Sequence, residues 1–168
     1  HLFACGGTTS TDLPITTGVV GGNYNGGVDA FAVSLTASNS AIAALTYWGS
    51  GAYDQAYFIE LDEAGNAFLF GQTSAPAGAL IQNAPYNVPS GGQFITKLSP
   101  DFATVLLSSR IGSGDGTPDI SPTAFLVDVC YKIYTSGWGS DLGVGGSLST
   151  NGLPVTPDAQ QGATDGND

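Results

Sequence analysis

Phe31-Ala32-Val33-Ser34-Leu35 is echoed by Phe94-Ile95-Thr96-Lys97-Leu98, an F-x-x-x-L pair set 63 residues apart. Trp48-Gly49-Ser50-Gly51 is echoed by Ile111-Gly112-Ser113-Gly114 at the same spacing, and Leu61-Asp62 by Val127-Asp128 at 66. In each piece a glycine ends a strand-like run: Cys5-Gly6, Phe70-Gly71 and Ser136-Gly137. A period of about 65 residues, with drift confined to glycine-rich joints, marks a repeat architecture.

Within one period the strand pattern recurs and no sustained 3.6-residue apolar period appears. Short runs rich in Val, Ile, Phe, Tyr and Thr predict strands over 2–8, 30–35, 41–48, 56–62, 67–73, 93–98, 104–111, 124–128 and 132–136. Asp62-Glu63-Ala64-Gly65-Asn66 reads as a hairpin turn, with Gly65 free to take a positive φ. Ser38-Asn39-Ser40 and Pro100-Asp101 hold matching places between two strands. Longer joints fall at 10–28, 74–92 and 139–167. One unit is therefore strand, hairpin, strand, long loop, strand, short turn, strand, then a Gly-Ser-Gly joint. Four antiparallel strands in about 65 residues is the content of a β-propeller blade. The expected fold class is all-β, with a partial blade of outer strands over 1–50, a complete four-strand blade over 51–114 and a partial blade of inner strands over 115–168. A chain that starts at His1 and contains no methionine is expected to be an internal piece of a longer protein. Such a piece could not close a ring, and its lateral faces would want further blades or a partner.

Composition excludes several function classes. Hydrophobic residues make up 42% of the chain, enough to bury a core. Only 10% are charged, against about 25% in an average soluble domain, so Gly, Ser, Thr and Asn must supply the polar surface. Three cations, Lys97, Arg110 and Lys132, face 14 carboxylates and leave a net charge of −11. That balance argues against nucleic acid, whose phosphates demand cations, and against anionic membrane surfaces. No apolar run reaches the length that spans a bilayer. Cys5 and Cys130 fall in the first and third copies, which would not be neighbours, so two buried free thiols are expected.

Three stretches carry a family resemblance. Asp29-Ala30-Phe31-Ala32-Val33-Ser34-Leu35, Leu45-Thr46-Tyr47-Trp48-Gly49-Ser50-Gly51 and the run Ile59-Glu60-Leu61-Asp62-Glu63-Ala64-Gly65-Asn66-Ala67-Phe68-Leu69-Phe70-Gly71-Gln72-Thr73-Ser74 resemble the bacterial SBBP-type β-propeller repeat. Thr11-Asp12-Leu13-Pro14 resembles that family's loop after the glycine, and Leu153-Pro154-Val155-Thr156-Pro157 does so more loosely. The third copy departs from the pattern. Val129-Cys130-Tyr131-Lys132 stands where Glu63-Ala64-Gly65-Asn66 would be, so the repeat does not predict its hairpin turn. Arg110-Ile111-Gly112 also replaces a Tyr-Leu-Gly. The resemblance implies a large secreted or cell-surface protein of the Bacteroidetes type, exported by type IX secretion, with the secretion machinery as a partner. By analogy it makes 56–62 the innermost strand of the complete blade.

Few residues offer chemistry. The only histidine is the terminal His1, which speaks against Ser-His-Asp and Cys-His mechanisms. No Walker loop, G-x-S-x-G elbow or H-E-x-x-H occurs. Glu60 and Asp62 are the candidates for a carboxylate pair acting on a glycan. The structural reading competes, because Asp62 recurs as Asp128 at a turn and Glu60 aligns with Leu126. Asp115-Gly116-Thr117-Pro118-Asp119 and Asp165-Gly166-Asn167-Asp168 could offer oxygens to Ca²⁺, yet Asp-Gly pairs are also ordinary turn formers. Tyr47, Trp48, Tyr53, Tyr57, Phe58, Phe68, Phe70 and Trp138 could stack on sugars, although strand aromatics more often fill cores. Trp138, just past a strand-ending glycine, is the aromatic expected to be exposed. No catalytic, cofactor or metal residue is assigned, and no cofactor is expected. The preferred reading is a non-enzymatic scaffold for adhesion, display or protein contact, whose partners are proteins or further blades. A carbohydrate-binding or carbohydrate-active module is the alternative, with surface glycans as its ligands.

Overall fold

In the computed structural model, which describes residues 1–139 and 148–163, the regular elements are all strands. They are β1 (Leu2–Thr8), β2 (Asp29–Leu35), β3 (Ile42–Trp48), β4 (Asp54–Leu61), β5 (Ala67–Thr73), β6 (Gln93–Leu98), β7 (Val105–Ile111), β8 (Ser121–Val127) and β9 (Ile133–Trp138). Consecutive strands pair antiparallel in three sheets, ordered β1-β2-β3, β4-β5-β6-β7 and β8-β9. The predicted elements are all present. β9 ends two residues past the predicted 136, while β4 starts two before the predicted 56 and β8 three before 124. In the latter two the first residues lie beyond a bulge, at Ala56/Phe58 and Pro122/Ala124, that breaks the alternation the eye follows.

The second sheet is the middle layer. Alternation along β5 sends Leu69 into one core and Phe68 and Phe70 into another. The first core joins Ala30, Ala32 and Ala44 of the first sheet to Leu69, Phe94 and Leu98 of the second, with Phe102 beneath. The second core joins Phe68, Phe70 and Ile95 to Phe125 of the third sheet, and the Phe70 and Phe125 rings stack at 5.3 Å. A strand covered on both faces reads as a continuous apolar run, which is why Ala67–Thr73 is buried throughout.

The glycines expected to end strands lie inside them, Gly6 in β1 and Gly71 in β5, and have a packing cause. Gly6 pairs with Phe31 and Gly71 with Phe94 across neighbouring strands. A Cβ at either glycine would lie 2.8 or 2.6 Å from the partner's ring, so the ring occupies the space that glycine vacates.

The turns share one construction. Asp62 Oδ1 accepts from the N–H groups of Ala64 and Asn66, while its backbone carbonyl accepts from Gly65, which has φ 80°. Asp128 accepts in the same way from Cys130, Lys132 and Tyr131. Tyr131 takes the left-handed conformation, φ 60°, that Gly65 takes in the first turn. The turn at Val129-Cys130-Tyr131-Lys132 therefore forms without its glycine. The aspartate side chain organises the backbone, and Tyr131 bears the strain. The cysteines are both free, but only Cys5 is partly buried; Cys130 sits exposed at this turn, contrary to the expectation of two buried thiols. Burial pushes the Cys5 thiol up to about 11.

Candidate functional site

Two places gather charged side chains: the cleft between two hairpin turns and the joints between sheets. The cleft lies where the β4–β5 turn meets the β8–β9 turn, walled by Leu61, Glu63, Val127, Val129 and Tyr131. Its volume of about 50 Å³ is far below the roughly 300–1,000 Å³ of a small-molecule site. Lys97 of β6 reaches this region. Its Nζ lies 2.8 Å from Asp62 Oδ2, 4.8 Å from the centre of the Phe68 ring and 4.7 Å from that of Tyr131. One cation thus ties a turn of the second sheet to a turn of the third.

This fixes the role of Asp62. Oδ1 accepts two backbone N–H bonds, and Oδ2 accepts from Asn66 Nδ2 at 2.8 Å and from Lys97. Burial opposes the charge, but Lys97 and the Asn66 donors outweigh it and hold the carboxyl at about 2. Both oxygens of this carboxylate are engaged by the turn and by Lys97. Glu60 is half-buried in β4, paired across the ladder with Phe68.

The joints hold a second set of carboxylates. Asp29, Asp54 and Asp119 are all buried, and each closes a glycine-rich loop. Asp29 Oδ2 accepts from Asn25 N–H at 2.6 Å. Asp54 Oδ2 accepts from Ser50 N–H at 2.6 Å and from its hydroxyl at 2.7 Å, and Oδ1 from the Thr73 hydroxyl. Asp119 Oδ1 accepts from Ser113 N–H at 3.0 Å. With the Gln93 amide turned to satisfy its neighbours, its nitrogen donates to Asp119 Oδ2 at 3.0 Å and its oxygen accepts from Asp119 N–H. Burial pushes the Asp29 carboxyl up; the Asn25 N–H pulls it back, and the Asp54 charge pushes it further. Asp119 is also raised, chiefly by burial.

Arg110 is the largest fully buried side chain. Its guanidinium donates to the carbonyls of Gly91, Ala75 and Pro76 at 2.8–3.0 Å, and among the described residues it makes no ion pair and leaves Nη2 without a partner. Burial lowers its affinity for the proton, and the field of Asp54 restores part of it. The departure from Tyr-Leu-Gly at Arg110-Ile111-Gly112 is thus a structural clamp on the loop that follows β5.

The other sequence candidates scatter. Asp115 is exposed and bonds Thr117, while Asp119 faces inward to Ser113 and Gln93, so the two serve different groups. Asp165-Gly166-Asn167-Asp168 lies outside the described residues, as does part of the 139–167 joint. Among the described residues no three His, Cys, Asp or Glu side chains converge for a metal ion. Tyr47, Phe68 and Phe70 are core, whereas Trp138 is 44% exposed and Tyr57 also reaches solvent. Sequence reasoning missed the trio Asp29, Asp54 and Asp119 as one class. The carboxylate lies four positions after the serine in Ser50–Asp54 but six after it in Ser113–Asp119, which hides the correspondence. Neither protein-family models nor curated proteins give a match to this chain.

Proposed function

We propose that the three sheets are consecutive blades of a β-propeller and that the chain serves as a non-enzymatic scaffold in a secreted or cell-surface protein, making contacts through the faces its own strands leave open. The observation that carries this reading is the contrast between β5 and β9. The two strands are 66 residues apart and follow the same turn, yet β5 is buried throughout and β9 is exposed along nearly its whole length. Leu126, Tyr134 and Trp138 stand on the uncovered sheet. A strand of this composition suits a covered position. The face-to-face packing of sheets in chain order supports the blade assignment, as do bulges at Ser34/Leu35 and Lys97/Leu98, which are 63 residues apart. The extracellular setting, type IX export and Bacteroidetes source rest on the resemblance to the SBBP-type repeat alone.

Hydrogen exchange tests the blade reading. The chain is compared with a version extended by its natural flanking sequence. Protection of β9 amides and burial of Trp138 in the longer protein are expected; unchanged exchange would count against blades. A second reading, glycan binding, is favoured by the exposure of Tyr134 and Trp138 at i and i+4 of one strand, hence on one face. Glycan-array binding and polysaccharide hydrolysis by the extended protein test it. Turnover abolished by Glu60→Gln or Asp62→Asn with the fold retained would overturn the scaffold reading.

A further inference from the structure

The joint between the first and second sheets contains one carboxylate too many. Val28 and Tyr53 form a parallel bridge, with Val28 N–H donating to Ala52 O at 3.2 Å and Asp54 N–H to Val28 O at 2.7 Å. That bridge sets the next residues, Asp29 and Asp54, side by side, where like charges oppose each other. Both are 0% exposed. A Cβ on Gly49 would lie 2.6 Å from Asp29 Oδ1 and 3.2 Å from Asp54 Oδ2, so the two oxygens face one point that only glycine leaves open. Asp29 Oδ1 is buried and has no hydrogen-bond partner.

The next joint provides an internal control. By the 63-residue offset Gly112 takes the place of Gly49, and Gly92 that of Asp29. Asp119, which closes that loop, stands for Asp54. There a Cβ on Gly112 would meet Asp119 Oδ2 at 2.2 Å and the Gly92 nitrogen at 2.9 Å. A single carboxylate faces a backbone nitrogen, and the Gln93 amide donates to it as well. The first joint has a second carboxylate where the other has that nitrogen.

Two buried carboxylates turned to one point call for a proton or a cation between them. The field of Arg110 reaches Asp54, but its hydrogen bonds go to three carbonyls and Asp29 Oδ1 still faces the joint with no donor. Asp54 Oδ2 already accepts two hydrogen bonds from Ser50, so a proton shared with Asp29 would compete with them. A cation acts on the charge of both carboxylates and does not need a directed third hydrogen bond at Asp54.

We propose that this joint is a cation site, with Asp29 Oδ1 and Asp54 Oδ2 as its anionic ligands and Ca²⁺ as the ion. Oxygen-only ligands without His or Cys select a hard cation, and irregular glycine-rich loops suit the variable geometry of Ca²⁺ better than the strict octahedron of Mg²⁺. With only two carboxylates, backbone oxygens and water complete the shell. Asn25 and Gly51, both exposed, face each other across the joint, with their carbonyls each 3.6 Å from the Cβ position of a glycine on the opposite loop. The bound ion locks the 25–29 loop of the first sheet to the 50–54 loop of the second.

Tb³⁺ luminescence, sensitised by the neighbouring Trp48 and Tyr53, and thermal unfolding in millimolar Ca²⁺ against EDTA test the site on the full chain at neutral pH. Saturable Tb³⁺ emission displaced by Ca²⁺ is expected, with a Tm higher by several degrees in Ca²⁺. Asp29→Asn should lose both responses while gaining stability in EDTA, because the repulsion is gone. Asp119→Asn, in the control joint, should keep the Ca²⁺ response. Identical Tm in Ca²⁺ and EDTA with no Tb³⁺ emission from the wild-type protein would overturn the proposal. So would an Asp29→Asn variant that responds like wild type. If the Asp29 variant does not fold, the wild-type pair of measurements decides alone.

Discussion

Asp62 shows how one side chain can be a turn, an ion pair and a pH sensor together. Its carboxyl is held at about 2, below the ordinary value of 3.8, by Lys97 and Asn66 acting against burial. A depressed carboxylate contributes its full stability above the unfolded value and loses it as pH falls through the folded one. The wild-type Tm should therefore decline between about pH 4 and pH 2. Asp62→Asn should flatten that segment and cost about 1–2 kcal/mol at neutral pH, read by thermal unfolding across pH. Gly71 makes the second residue-scale case. Its Cβ position lies 2.1 Å from the Gln55 carbonyl oxygen and 2.6 Å from the Phe94 ring, so Gly71→Ala should cost about 2–3 kcal/mol. Gly22→Ala, with open space around it and no positive φ, should stay within about 0.5 kcal/mol in the same chemical denaturation series.

At the scale of the element, the hairpins carry strain in a fixed place. Ser40, Phe102 and Tyr131 all adopt φ of 54–60° in turns where the β4–β5 hairpin uses Gly65. Ser40 is exposed, and its N–H donates to the Thr36 carbonyl, a bond any residue can make. Ser40→Gly should stabilise the protein by about 0.5–1 kcal/mol, measured as a higher denaturant midpoint. Tyr131→Gly should gain less, because it also removes the ring against which Lys97 packs. The sequence pattern located these turns well, since Asn, Asp, Ser and Pro cluster there. It did not reveal that the β8–β9 turn would form without glycine, because the organising bonds come from the Asp128 side chain to backbone that every residue provides.

At the scale of the whole molecule, the second sheet couples the other two. Phe70 belongs to the middle sheet and Phe125 to the third, so Phe70→Ala should cost about 3–5 kcal/mol. Hydrogen exchange in that variant should accelerate first in β8 and β9, which keep few other buried contacts. Uniform acceleration in all three sheets would mean that the layers unfold as one cooperative unit.

The all-β class, the order of strands and the position of each turn were legible in the residues, because alternation and turn chemistry act over neighbours along the chain. The function of Asp62 as a turn former was legible in the same way, through its echo at Asp128. What lay beyond reach depends on contacts between distant segments. Nothing near Arg110 in sequence announces that it clamps the carbonyls of Ala75, Pro76 and Gly91. Nothing near Asp29 announces that a parallel bridge brings Asp54 beside it. Burial and charge proximity arise only when sheets pack, so the tertiary structure alone decided which carboxylates serve single turns and which are confined together between sheets.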